Sequence, residues 1–156
     1  MSKIHLIAGF LLAGVVVAPV FAQTAAVSLT PQQIVAARQA SFDMSSATFG
    51  AILKAAKDGA DAKTESQPAA ALALWAKVLP SLFPAGTGEG QTPMESKAKL
   101  DIWADRAGFE KAAASYVAAT ATLSSLAEAN NTAGFSAQLD EVKKACGGCH
   151  KAYRER

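Results

Sequence analysis

Residues 130–153 read NNTAGFSAQLDEVKKACGGCHKAY. Within this stretch Phe135, Leu139, Val142, Cys146, Cys149 and Tyr153 follow one another at intervals of four, three, four, three and four. Such spacing places all six on a single face of an α-helix, because 3.6 residues per turn returns the chain to the same side every three or four positions. Asn130-Asn131 supplies the punctuation: asparagine tolerates the conformation that ends one helix and caps the next. A terminal amphipathic helix with one unbroken stripe needs other helices to cover it.

Working back toward the N-terminus, those helices are present. Residues from about Ala104 to Ala129 carry Phe109, Ala113, Tyr116, Leu123 and Ala127 on one face. Before them, residues 80–96 hold Pro80, Pro84, Gly86, Gly88, Gly90 and Pro93, and this stretch is expected to be a long non-helical connection. Pro68 with Leu72, Trp75 and Leu79 marks a shorter helix that Pro80 stops. Thr30-Pro31 starts another, whose stripe Ile34, Arg38, Phe42, Ser45, Phe49 and Ile52 runs to Asp58-Gly59. The fold class is therefore all-α, an antiparallel four-helix bundle over residues 23–156 as one domain.

Composition agrees. The 156 residues are 51% hydrophobic, which excludes a disordered class, and the abundance of Ala over Val, Ile and Thr favours helices over strands. Residues 1–22 read as a cleaved signal peptide: Lys3 precedes an apolar run from Leu6 to Ala18, and Val20-Phe21-Ala22 forms a peptidase site before Gln23. A membrane anchor is the alternative, but the run is shorter than the roughly 20 residues a span requires, so no membrane insertion is expected after cleavage. Without that segment 14 basic residues face 13 acidic ones, a net charge of +1. No excess is left to neutralise a nucleic-acid backbone.

The only two cysteines stand at Cys146-Gly147-Gly148-Cys149, and His150 follows at once. This C-x-x-C-H pattern is that of covalent haem c attachment. On a helix the three side chains share one face, so two thiols can add to the two haem vinyl groups while the imidazole takes the iron from the same side. Other uses of the pair are a disulfide, which would close a tiny loop and need no histidine, and a thiol-exchange pair, which would want a βαβ context. Structural zinc would lack a fourth ligand once His5 is removed.

Arg38 lies one turn from Ile34 and one from Phe42 on the inward face of the first helix, where a guanidinium calls for an anion. A haem propionate is such an anion; the alternative is an Arg that snorkels to the end of the bundle near Thr30. Gln39 sits beside it as a haem-edge contact, and the loop around Ser96-Lys97-Ala98 is a further candidate for the propionates. Met44, two residues beyond Phe42, is turned about 200 degrees from it, and is expected to pack between the first two helices rather than to reach iron. Trp75 and Trp103 read as core aromatics.

Placed on the last helix of a bundle rather than near the N-terminus, the motif resembles that of the class II cytochromes c, and of the cytochrome c′ family among them. Arg38-Gln39 with Phe42 and Phe49-Gly50, the loop from Leu82-Phe83-Pro84 to Gly90, Ile102-Trp103, and Cys146 through Arg154 carry the resemblance. It implies a periplasmic protein with one covalent haem c, Cys146 and Cys149 as attachment points, His150 as axial iron ligand, and Arg38 on a propionate. It also implies Phe42 at the distal site, with no lone pair for iron, and Arg154 at the proximal pocket, where the alternative is a solvated basic tail. Trp103 stands where the family packs an aromatic near the haem. The expected function is a five-coordinate, high-spin haem protein that binds NO and CO, with NO sequestration and some electron transfer to an unknown redox partner. With no distal donor evident, O2 is expected to bind poorly. The competing functions are a low-spin electron carrier with Met44 or another sixth ligand, and a haem-free thiol-exchange bundle. No hydrolytic constellation is present, so no enzymatic activity is expected, and the resemblance implies a homodimer.

Overall fold

The computed structural model describes residues 28–156; the signal-peptide expectation for residues 1–22 lies outside them. Four long helices make the bundle: α1 (Pro31–Lys57), α2 (Ser66–Val78), α4 (Arg106–Glu128) and α5 (Thr132–Tyr153), with a single helical turn, α3 (Asp101–Ala104), before α4. The haem-motif helix is thus the C-terminal one. No helix of the described residues is long and apolar enough to cross a membrane.

Each boundary has a local cause. Thr30 and Gln33 form a reciprocal capping box, the Thr30 hydroxyl accepting from the Gln33 amide and the Gln33 side chain from the Thr30 amide at 2.8 Å, with Pro31 in the first turn. Asn130 takes a left-handed φ of 50° to end α4, and Asn131 then caps α5 by accepting from the Gly134 amide at 3.0 Å. Helix α2 stops at Val78, and Pro80 falls within a following 3-10 turn (Leu79–Leu82). That turn intrudes slightly on the stretch expected to be non-helical. Helix α4 begins at Arg106 rather than at Ala104, because Asp105 breaks from the α3 turn and caps α4 through the Gly108 amide at 3.0 Å.

Helix α4 packs against both α2 and α5, and Phe109, Ala113, Leu123, Phe135, Leu139 and Val142 are buried between them. Helix α1 packs on α2 and has no comparable contact with α5. The α5 stripe shows the consequence: Phe135, Leu139 and Val142 are buried, whereas Cys146, Cys149 and Tyr153 farther along the same face are only partly so. On α1, Arg38 and Ile52 are buried while Phe42 and Phe49 between them are not. The bundle is open where the two incomplete stripes meet.

Candidate functional site

A cavity of about 640 Å³ occupies that opening. Cys146, Cys149 and His150 line it from α5, Arg38, Gln39, Phe42 and Phe49 from α1, Trp75 from α2, and Ala113 and Tyr116 from α4. Ser96, Lys97 and Ala98 of the long connection close one end, together with Arg154. The three motif residues and the predicted distal and propionate-side residues are therefore brought to one place.

The chemistry of the motif side chains suits attachment. Both thiols are free, and burial pushes their ionisation above the ordinary cysteine value. His150 is held below its usual value, first by burial and second by the positive charge of Arg154. Its imidazole is accordingly neutral at neutral pH, with a lone pair to offer a metal.

Arg38 does not snorkel. It is 3% exposed, and its guanidinium meets neutral oxygens of the connection rather than an anion. Nη1 donates to the Leu82 carbonyl at 3.2 Å and the Thr87 hydroxyl at 2.9 Å; Nη2 donates to the Thr87 carbonyl at 2.6 Å and the Ser96 hydroxyl at 2.9 Å. The Phe83 ring lies 4.5 Å from the guanidinium carbon. Gln39 donates to the Glu95 carbonyl at 2.7 Å.

Three placements differ from the sequence expectation. Met44 is 71% exposed on the outer side of α1, neither packed between helices nor in the cavity wall. Arg154 has left the helix: it is extended, with φ −121° and ψ 132°, and pairs in an antiparallel bridge with Ala98, because the Lys97 and Lys99 backbones take up the chain end. Trp103 donates its indole N–H to the Phe83 carbonyl at 3.2 Å, beneath the connection, and it is Trp75 that lines the cavity. Trp75, Tyr116 and Thr87 are site residues that sequence reasoning passed over. Periodicity placed Trp75 and Tyr116 on inward faces but could not tell core from cavity wall.

The rings around the cavity form one connected series. Tyr116 meets Trp75 at 5.8 Å, Trp75 meets Phe42 at 4.9 Å, Phe42 meets Phe83 at 6.2 Å, Phe83 meets Phe109 at 4.9 Å and Phe109 meets Tyr153 at 5.5 Å, all edge-to-face. A large, flat, mostly apolar cofactor fits such a wall, with the thiols and imidazole on one side of it.

The family model described as Cytochrome C' matches residues 33–154. This chain belongs to the cytochrome c′ family. The cytochrome c′ of Rubrivivax gelatinosus is 30% identical over 128 residues, covering 81% of this chain and 97% of the relative. Its crystal structure at pH 8.0 superposes with a TM-score of 0.72 at 29% identity, covering 80% of this chain and 97% of that one. A nitric oxide complex of a single-residue variant of cytochrome c prime from Alcaligenes xylosoxidans superposes with a TM-score of 0.72 at 26% identity, covering 81% and 98%. Cytochromes c′ are four-helix bundles that carry covalently bound haem c, and haem c is the cofactor of this chain. They are haem electron-transfer or gas-binding proteins rather than enzymes of a conventional kind.

Proposed function

We propose that this cytochrome c′ is a periplasmic, five-coordinate, high-spin haem protein that binds NO and CO, with NO sequestration as its main role and some electron transfer beside it. Cys146 and Cys149 would hold the haem through thioether bonds and His150 would ligate the iron. When bound, haem c supplies an iron with one coordination position open to a diatomic gas. The observation that carries the reading is the identity of the wall: the three motif residues face a cavity whose α1 side presents Phe42, and Met44 is 71% exposed outside it.

The chain's own residues divide the remaining work. Phe42 crowds the cavity and has no lone pair, so it restricts access without competing for metal. Arg38 and Gln39 stand at the end closed by Ser96 and Lys97, where propionates would be met by the one guanidinium N–H that Nε still offers and by the Lys97 ammonium. Arg154 supplies positive charge near His150. The periplasmic location is supported by the sequence of residues 1–22, and a homodimer by the family and by apolar residues exposed on the outer faces of α1 and α2, Met44 at 71% and Leu74 at 65%.

Absorption spectra of the purified ferric and ferrous protein, with and without NO, test the reading. A high-spin spectrum that changes on adding gas is expected. A low-spin spectrum insensitive to NO would replace it with the electron-carrier function.

A further inference from the structure

Among the side-chain nitrogens and oxygens around the cavity that are sealed from solvent, all but one have partners. Arg38 spends both terminal nitrogens on four acceptors, and Trp103 donates its indole nitrogen to a carbonyl. The indole nitrogen of Trp75 is sealed from solvent and is the single buried side-chain nitrogen or oxygen among the described residues without a hydrogen-bond partner. Filling space does not explain it, since Phe or Leu would occupy the position with no unpaired N–H. A buried donor left unmet is a net loss to the fold, and its presence points to a partner from outside the chain.

Trp75 stands in the wall of the same cavity as the haem motif. Its ring is edge-to-face with Phe42 at 4.9 Å and an interplanar angle of 81°, and with Tyr116 at 5.8 Å and 82°. Both neighbours line the cavity too, so the indole ring belongs to the wall of the cavity while its N–H is covered. Phe42 is also the ring that an incoming gas must displace.

We propose that Trp75 is the ligand-discriminating residue of this cavity: its Nε1–H donates a hydrogen bond to the outer atom of a diatomic ligand once Phe42 turns aside to admit it. The inference rests on the gas-binding reading and adds which gases are favoured. A fixed donor strengthens the hold on ligands that draw negative charge onto their outer atom, as NO and O2 do, and does less for CO. The wall then has a distal donor, contrary to the sequence expectation.

The test uses the haem-loaded protein as wild type, Trp75→Phe, Phe42→Ala and the double variant. Vibrational spectra of the ferrous NO and CO complexes are recorded in H2O and D2O, with NO and CO dissociation rates. In the wild type the N–O stretch should shift on exchange into D2O, a measurement that needs no variant to fold. Trp75→Phe should abolish that shift and release NO about tenfold faster, while CO release changes less than about twofold. The Trp75 effect should be larger in the Phe42→Ala background, where the indole is uncovered. An N–O stretch insensitive to D2O in the wild type, or rates unchanged by Trp75→Phe in both backgrounds, overturns the proposal and leaves the N–H to the faces of the flanking rings. A wild-type protein that is low-spin and binds no gas brings down the functional reading first, visibly and before any variant is made, and the inference with it.

Discussion

Arg38 and Thr87 are 49 residues apart and joined twice: the guanidinium donates to the Thr87 hydroxyl at 2.9 Å and to the Thr87 carbonyl at 2.6 Å. The hydroxyl passes the constraint on by donating to the Pro84 carbonyl at 2.8 Å. A Gly- and Pro-rich connection with few apolar residues cannot hold itself in shape by burial, so a planar, forked cation on α1 does so. This explains why a buried Arg is tolerated with no carboxylate beside it: four neutral acceptors replace the water it loses.

The fork, and not charge alone, is therefore the stabilising feature. Arg38→Lys keeps the cation but cannot reach four acceptors at once, and is expected to cost about 2 kcal/mol, with Arg38→Leu costing about 3 kcal/mol because Thr87 and Ser96 also lose a donor. Thermal unfolding of the two variants checks this. A Lys variant as stable as wild type would assign Arg38 a purely electrostatic role.

Covalent attachment is expected at both thiols. Protein from a host competent in haem attachment should carry one haem by intact mass and keep it through acid-acetone extraction. Cys149→Ser should retain a single thioether bond at Cys146, and a wild-type protein that gains no haem by intact mass or gives it up to acid-acetone would refute the assignment.

Much of this was legible in the sequence wherever the cause is local. The α5 stripe, the Thr30 cap and the Asn130-Asn131 junction depend on neighbours within four residues, and each was read from spacing and residue type. What escaped was set by distant partners. Arg154 reads as the next turn of α5 by spacing from His150, yet the Lys99 amide binds the Tyr153 carbonyl at 3.1 Å and the Glu155 amide binds the Lys97 carbonyl at 2.8 Å, pulling the chain out straight. The two tryptophans likewise sit on inward faces, and only packing decides that Trp75 meets the cavity and Trp103 the connection.

That chain end is fastened a second way. The Tyr153 hydroxyl donates to one oxygen of Asp105 at 3.0 Å while the other oxygen caps α4 at the Gly108 amide. A methyl group on Gly108 would fall inside the Asp105 carboxylate and against the Tyr153 hydroxyl. Gly108→Ala should thus break cap and tether together and cost about 1–2 kcal/mol, whereas Tyr153→Phe, which spares the cap and removes only an exposed hydrogen bond, should cost clearly less. Equal melting temperatures for the two variants would show that Asp105 is not shared in this way.

The ring of Phe42 lines the α1 side of the cavity, edge-on to Trp75 at 4.9 Å and to Phe83 at 6.2 Å, and on the proposed gas-binding reading a gas has to move it to reach iron. Its removal replaces a displacement step with open space. Phe42→Ala is expected to speed CO association by about tenfold or more, which corresponds to a barrier lowered by about 1.4 kcal/mol. It should also lower stability by about 2–3 kcal/mol, at or below the range for a buried Phe, since this ring is only partly buried. Met44→Leu, by contrast, changes a side chain that is 71% exposed and outside the cavity, and should leave the ferrous spectrum, the CO rate and the melting temperature as they were. Flash photolysis of the CO complexes measures the rates directly. A ferrous protein that is low-spin at neutral pH and becomes high-spin only in Met44→Leu would mean that α1 rotates to bring the thioether to the metal, and would overturn both the gate and the open coordination site.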